Sequence, residues 1–96
     1  MTHQELLNQR RAEILGIASR YGARNVRVFG SVARAEADER SDIDFLVEME
    51  AGRSLFDLGG MQSELESALG RPVDVVTEKA LKARIRSRVL REAIPV

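Results

Sequence analysis

Short β-prone segments alternate along this chain with segments of helical periodicity, and this alternation limits the fold more than any other feature. The β-prone segments are residues 25–29, 42–48 and 72–77, and helix signals mark residues 3–21, 32–37, 54–70 and 78–91. Residues 93–96 could add a short edge strand. A chain of 96 residues has room for one core. The sequence therefore predicts a single α/β domain, residues 1–96, with a small mixed central sheet flanked by helices in the order αβαβαβα.

Two helices begin with clear capping residues. Thr2 and Glu5 have capping-box spacing before the first helix, and Ser54 with Asp57 marks the start of the third. In the middle of that third helix the pair Gly59-Gly60 is expected to weaken the helix by roughly 1 kcal/mol per glycine.

Composition and charge exclude several classes of function. The chain has no Cys, so a disulfide framework, a thiolate zinc site and a cysteine nucleophile are excluded. Its 15 basic and 15 acidic side chains cancel, and only four aromatic residues are present, so we expect no direct binding of nucleic acid. The longest apolar stretch, residues 14–18, is too short to span a bilayer, and residues 1–5 lack the basic region and apolar run of a signal peptide, so we expect none. We expect a cytoplasmic protein without a membrane contact.

The charges are nonetheless unevenly distributed. Residues 36–50 contain seven acids and one base, whereas residues 79–92 contain six bases and one acid. On the predicted fourth helix, Arg84, Arg88 and Arg91 share one face by helical spacing. That face is either a solvated surface or a docking site for an acidic partner, and the sequence leaves both interpretations open.

The second predicted strand carries two aspartates on one face. Asp42 and Asp44 are two residues apart, about 6.5 Å along a strand, while Ile43 and Phe45 point toward the core. Two carboxylates at that distance repel each other by about 3 kcal/mol at an effective dielectric near 20. A magnesium ion, which prefers one or two carboxylates with waters and substrate phosphates, would relieve the repulsion. Taken alone, such a pair is more often a residue that caps the strand, here Asp42, followed by a solvated one, here Asp44.

Two further features favour a phosphate-transfer site. Gly30-Ser31 ends the first strand, where unpaired backbone N–H groups and a helix N-terminus capped by Ser31 suit a phosphate, although an ordinary cap has the same form. Asp74 stands alone in an apolar strand, where an unpaired buried acid would be costly. If the second and third strands pair, Asp74 faces the same side as Asp42 and Asp44. Three carboxylates opposite a phosphate-binding turn are the arrangement of two-metal phosphoryl or nucleotidyl transfer.

The string from Phe29-Gly30-Ser31-Val32-Ala33-Arg34 to Ser41-Asp42-Ile43-Asp44-Phe45-Leu46-Val47 resembles the signature of the nucleotidyltransferase superfamily that includes DNA polymerase β. It is most similar to the minimal nucleotidyltransferase domains, the antitoxin subunits of HEPN/MNT toxin–antitoxin pairs. The resemblance covers essentially the whole chain. It implies a polymerase β-like nucleotidyltransferase fold.

The resemblance also implies roles for the site residues. Asp42 and Asp44 would hold the Mg²⁺ that binds the nucleoside triphosphate, and Asp74 would be a third metal ligand or the base that activates the acceptor hydroxyl. Gly30 and Ser31 would hold the triphosphate. Arg34 would assist the phosphates, although on a short helix it could equally pair with Glu36 or Asp38.

One residue departs from the family pattern. Members commonly have Gly after the Ala-Arg pair, whereas this chain has Ala35, which favours a continued helix. We expect a shifted loop or reduced activity rather than the loss of a metal ligand. His3 is the only histidine and lies near the chain end, so we expect no catalytic role for it.

By resemblance, the chain is expected to transfer AMP from ATP to a hydroxyl of a partner protein, typically a tyrosine of a HEPN ribonuclease toxin. The first alternative is a non-catalytic antitoxin that inhibits the toxin by occlusion. The second is a transferase for small molecules, which would need an acceptor-binding domain from another polypeptide. Each alternative needs a partner, so we expect a hetero-oligomer, with a homodimer left open for the protein alone.

Overall fold

The computed structural model describes residues 2–38 and 40–96. In the described residues there are four α-helices, α1 (His3–Gln9), α2 (Arg11–Arg20), α3 (Leu55–Leu69) and α4 (Ala83–Glu92), and four strands, β1 (Ala23–Phe29), β2 (Ile43–Met49), β3 (Val73–Thr77) and β4 (Ile94–Pro95).

The four strands form one mixed sheet in the order β3-β2-β1-β4. Strand β1 is antiparallel to both β2 and β4, whereas β3 is parallel to β2, with α3 as the crossover between them. This arrangement confirms the predicted α/β fold with a small mixed sheet. The predicted edge strand is β4, and the backbone N–H of Val96 extends it by donating to the carbonyl of Val26.

The two faces of the sheet bury cores of different size. Ile43, Phe45 and Val47 are fully buried on one face, against apolar side chains of α1, α2 and α3. On the other face, Leu46 packs with Leu81 and with Val89 of α4 in a smaller cluster. Because side chains alternate along β2, Asp44 lies on the face with the smaller core.

The predicted first helix, residues 3–21, is broken in two. Arg10 has φ −101° and ψ 12°, which ends α1 and precedes α2. Residues 8–13 are all exposed, so no buried side chain holds the two segments on one axis. At its start, the predicted cap is confirmed, because the Thr2 hydroxyl accepts the backbone N–H of Glu5.

The predicted short helix over residues 32–37 is wrong. Residues 30–35 form a series of turns, in which the N–H of Arg34 donates to the carbonyl of Gly30. Ala35 has φ +58°, in the left-handed region, so a right-handed helix cannot continue through it. The expectation that Ala35 extends a helix is therefore wrong, and Ser31 caps no helix.

The predicted fourth helix, residues 78–91, begins later than expected. Glu78–Ala80 form a short 3₁₀ turn, after which Leu81 and Lys82 are extended and α4 starts at Ala83. Leu81 is buried in the smaller core, and placing its side chain there interrupts the helix. The helix then ends at Glu92, and Ala93 alone separates it from β4.

Candidate functional site

Three aspartates share the sheet face that carries the smaller core. In the parallel β2–β3 pair, Asp44 is the direct partner of Asp74, and Asp42 precedes β2 two residues before Asp44. Asp44 is half-buried, whereas Asp42 and Asp74 are exposed. Asp44 and Asp74 thus share this face, and Asp42 is close enough for its charge to act on Asp44.

The pKa of Asp44 is raised to about 6. Burial is the largest cause, followed by the negative charges of Asp74 and Asp42; Glu92 adds a smaller contribution, and Arg34 opposes the shift. The raised pKa thus reports first the partial removal of this carboxyl group from water and second the neighbouring negative charges, which Arg34 only partly balances.

The turn after β1 lies against this carboxyl group. Gly30 has φ +73°, and a Cβ at this position would collide with Oδ2 of Asp44. Glycine is therefore required here both for the backbone conformation and for the close approach of the turn to Asp44. Ser31 is half-buried, its carbonyl accepts the N–H of Glu36 at 2.8 Å, and the buried side chain of Val32 anchors the turn in the core.

Glu92, at the end of α4, binds the same turn. Its Oε2 accepts the backbone N–H of Gly30 at 2.7 Å, and its two oxygens accept from Nη1 of Arg34 at 3.2 and 3.0 Å. The Nε of Arg34 donates to Glu36 at 3.1 Å. Of the two pairings considered from the sequence, Arg34 thus makes the one with Glu36, while Asp38 accepts from Ser41 and from the backbone of Arg40.

Sequence reasoning missed Glu92. It lies 62 residues from Gly30, so no local pattern joins them. The available signal was its position as the single acid among the six bases of residues 79–92. His3, although near the chain end, is buried, and its Nε2 contacts the carbonyl of Ser41 at 3.2 Å, next to Asp42 in the sequence.

The donor set fits a hard divalent cation. Within residues 2–38 and 40–96, no three acidic or histidine groups lie close enough to hold a metal ion as they stand. Asp42 and Asp74 are exposed, so core packing does not fix the rotamers of their side chains. Oxygen ligands beside an anion-binding turn suit magnesium with a bound phosphate.

The fold and site together define a nucleotidyltransferase. Residues 12–96 match the sequence model of the nucleotidyltransferase domain family, and the chain belongs to that family. A solved structure described, by inference, as a minimal nucleotidyltransferase has 52% sequence identity and a TM-score of 0.86, and the match covers 96% of this chain and 94% of that one. The resemblance to minimal nucleotidyltransferases drawn from the sequence is therefore confirmed.

Two archaeal relatives carry more particular names. A Methanocaldococcus jannaschii protein, named by inference as a protein adenylyltransferase, is 41% identical over 90 residues, covering 94% of this chain and 97% of the relative. Protein adenylyltransferase MntA of Thermococcus cleftensis is 42% identical over 80 residues, which cover 83% of this chain and 81% of the relative.

A toxin–antitoxin crystal structure with AMP-PNP shares the fold, with a TM-score of 0.74 at 20% identity over 88% of this chain and 69% of that one. In the part of this chain that the structure describes, no helix combines the length and apolar character needed to cross a membrane.

Proposed function

We propose that this protein transfers AMP from ATP to a hydroxyl of a partner protein, a tyrosine of a HEPN ribonuclease toxin, and so acts as an antitoxin in the cytoplasm. The observation that carries the proposal is the placement of Asp42, Asp44 and Asp74 on one face beside the Gly30 turn. The names of the adenylyltransferase relatives support the choice of transferred group and of a protein acceptor.

In this proposal Asp42 and Asp44 hold Mg²⁺, and Asp74 is a third ligand or the base for the acceptor hydroxyl. Bound magnesium would neutralise charge on the triphosphate and on the departing pyrophosphate. The turn at Gly30-Ser31 orients the triphosphate through its backbone N–H groups, and Arg34 supplies a cation.

The reaction is a displacement at the α-phosphorus of ATP. The acceptor oxygen forms a bond to this phosphorus while the bond to the bridging oxygen of the β-phosphate breaks, and pyrophosphate leaves. The proton of the acceptor hydroxyl goes to Asp74 where Asp74 acts as the base.

The surface supports a protein partner. Leu55 and Phe56, at the start of α3, are 82% and 91% exposed, and adjacent exposed apolar side chains are typical of contact surfaces. We propose that the toxin completes the acceptor site, so that the active form is a hetero-oligomer.

A second candidate is an antitoxin that acts by occlusion without chemistry. One observation favours it, since Glu92 already occupies the Gly30 N–H and Arg34. This candidate does not explain the three clustered aspartates. Their carboxylates repel one another, so a protein that only binds its partner would be more stable without them.

The proposal is tested by incubating the protein with the toxin encoded by the adjacent gene, Mg²⁺ and ATP labelled at the α-phosphate. We expect label on the toxin, none when the label is at the γ-phosphate, and none with the Asp42→Ala variant. Glu48→Gln is the matched control, since Glu48 is an exposed acid of the same strand, four residues from Asp44. Absence of α-label on the toxin, or equal labelling by Asp42→Ala, would contradict the proposal.

A further inference from the structure

The Glu92 carboxylate is held in the way a phosphate would be held. It accepts a backbone N–H of the glycine turn at 2.7 Å and both of its oxygens contact one guanidinium nitrogen of Arg34. Charge-assisted hydrogen bonds from a turn N–H and an arginine are the usual contacts of a bound anion. The Glu92 side chain is 14% exposed, whereas that of Arg34 is 40% exposed, so Glu92 is largely covered while the guanidinium remains accessible from solvent.

The position of Glu92 at the end of α4 is unfavourable for a carboxylate. A carboxylate in the last residue of a helix lies at the negative end of the helix dipole, where cations are favoured and acids are not. Glu92 also repels Asp44, because its negative charge helps to raise the pKa of that carboxyl group, although less than Asp74 and Asp42 do. Gly30 and Arg34 are therefore the groups that stabilise the Glu92 carboxylate at this place.

A phosphate and Glu92 cannot use the turn at the same time. The Gly30 amide is a single donor, and at 2.7 Å it is fully engaged. A phosphate oxygen bound to this amide would take the place of Oε2 of Glu92. Because the phosphate and the Glu92 carboxylate are both anionic, binding of the phosphate requires withdrawal of Glu92.

We propose, on the basis of the function proposed above, that Glu92 is an internal competitor of the nucleotide: it occupies the phosphate site of the free protein and is displaced by the triphosphate. Displacement needs only rotation of the Glu92 side chain, since Val89, one turn earlier, keeps α4 anchored in the smaller core. The released Arg34 nitrogen and Gly30 amide then bind the phosphates.

The test is the affinity for inorganic pyrophosphate in the presence of Mg²⁺, measured by titration calorimetry. If Glu92 occupies the turn in nine molecules of ten, the apparent dissociation constant is raised about tenfold, so Glu92→Ala and Glu92→Gln should both bind more tightly by a factor of this order. Glu36→Gln is the matched control, because Glu36 also pairs with Arg34 but leaves the Gly30 amide alone. It should change affinity by less than about twofold.

A second readout follows the turn directly. The Gly30 amide proton should move upfield in the nuclear magnetic resonance spectrum of free Glu92→Ala and return downfield on addition of pyrophosphate. Circular dichroism confirms that each variant is folded before titration, and Glu92→Gln preserves the size of the side chain.

Weaker or unchanged binding by folded Glu92 variants, with the unaltered protein still binding pyrophosphate and labelling the toxin, would overturn the inference but not the proposed function. Tighter binding by the variants without transfer of label would support the inference and count against the proposed activity. Absence of pyrophosphate binding in every protein would overturn both.

Discussion

Asp44 makes the stability of the folded chain depend on pH. Its pKa is raised from 3.8 to about 6, by burial first and then by Asp74 and Asp42. The folded state therefore binds this proton more tightly than the unfolded state, and the Asp44 contribution to the free energy of unfolding falls as the pH rises from 3.8 through 6. We expect Asp44→Asn to be more stable than the unaltered protein at pH 8 by about 1–2 kcal/mol, a value reduced for solvent screening.

Urea unfolding of both proteins at several pH values checks this expectation. The difference in the free energy of unfolding should grow as the pH rises through about 6 and become small near pH 4. Glu48→Gln, an exposed change on the same strand, should show no such growth. A difference between Asp44→Asn and the unaltered protein that is constant with pH would contradict the assignment.

Ala35 is strained by its backbone conformation. An alanine at φ +58° carries a steric penalty that glycine avoids. We expect Ala35→Gly to raise the free energy of unfolding by about 0.5–1 kcal/mol, after allowing for the greater freedom of glycine in the unfolded chain. Thermal and urea unfolding measure the change. Ala33→Gly, two residues earlier and outside the left-handed region, should instead lower stability, and equal effects at both positions would argue against strain at Ala35.

Single residues differ in how far sequence could identify them. Asp42 and Asp44 could be placed on one face because the period of a strand is two, and Asp74 followed once β2 and β3 were assumed to pair. Glu92 could not be found in this way, because its contact with Gly30 depends on how α4 returns to the turn after β1.

Helix α3 carries two adjacent glycines with different environments. A Cβ at Gly60 would lie 2.6 Å from Cε1 of Tyr21, whereas a Cβ at Gly59 would meet nothing within 4 Å. The hydroxyl of Tyr21 donates to Glu64 at 2.6 Å, which fixes the ring between the helices. The sequence-based expectation that both glycines simply weaken α3 is therefore incomplete, since Gly60 allows the close approach of α3 to Tyr21, the residue that ends α2.

We expect Gly59→Ala to stabilise the protein by about 0.5–1 kcal/mol, because alanine is the better helix former. Gly60→Ala should destabilise it by about 1–3 kcal/mol through overpacking against Tyr21. Urea unfolding of the two variants side by side gives the comparison. The contact with Tyr21 is the cause if Gly60→Ala stabilises the Tyr21→Ala variant by about the amount that Gly59→Ala stabilises the unaltered protein. A Gly60→Ala substitution that stabilises the unaltered protein would contradict this explanation.

Elements were predictable where their signals are local. The caps at Thr2 and Ser54 were found because the interacting residues are three apart, and both are confirmed. The break before Ala83 was not predicted, because it depends on burial of Leu81 against the sheet. This is a tertiary effect, which overrides helical periodicity. The break at Arg10 falls in a polar run, residues 8–13, that the sequence itself shows.

At the scale of the molecule, the large hydrophobic core and the candidate site lie on opposite faces of the sheet. One face is covered by α1, α2 and α3 and holds the large core, and the other carries α4 and the aspartates. Asp42 and Asp74 are exposed at this second face. A partner that approaches this face can reach the carboxylates without disturbing the large core, which is consistent with the proposal that the toxin supplies the acceptor.

The proposed enzyme and the occluding antitoxin differ in stoichiometry. If the protein modifies its toxin, each molecule acts repeatedly, so a small amount should neutralise an excess of toxin in the presence of ATP and Mg²⁺. Toxin ribonuclease activity, measured after incubation at antitoxin-to-toxin ratios from well below one to above one, distinguishes the two. Asp42→Ala should abolish protection at low ratios, because it removes a proposed magnesium ligand, whereas Glu48→Gln should protect like the unaltered protein. Protection that follows a fixed ratio, needs no ATP and survives Asp42→Ala would show that the chain acts by occlusion and that its three aspartates are not used for transfer.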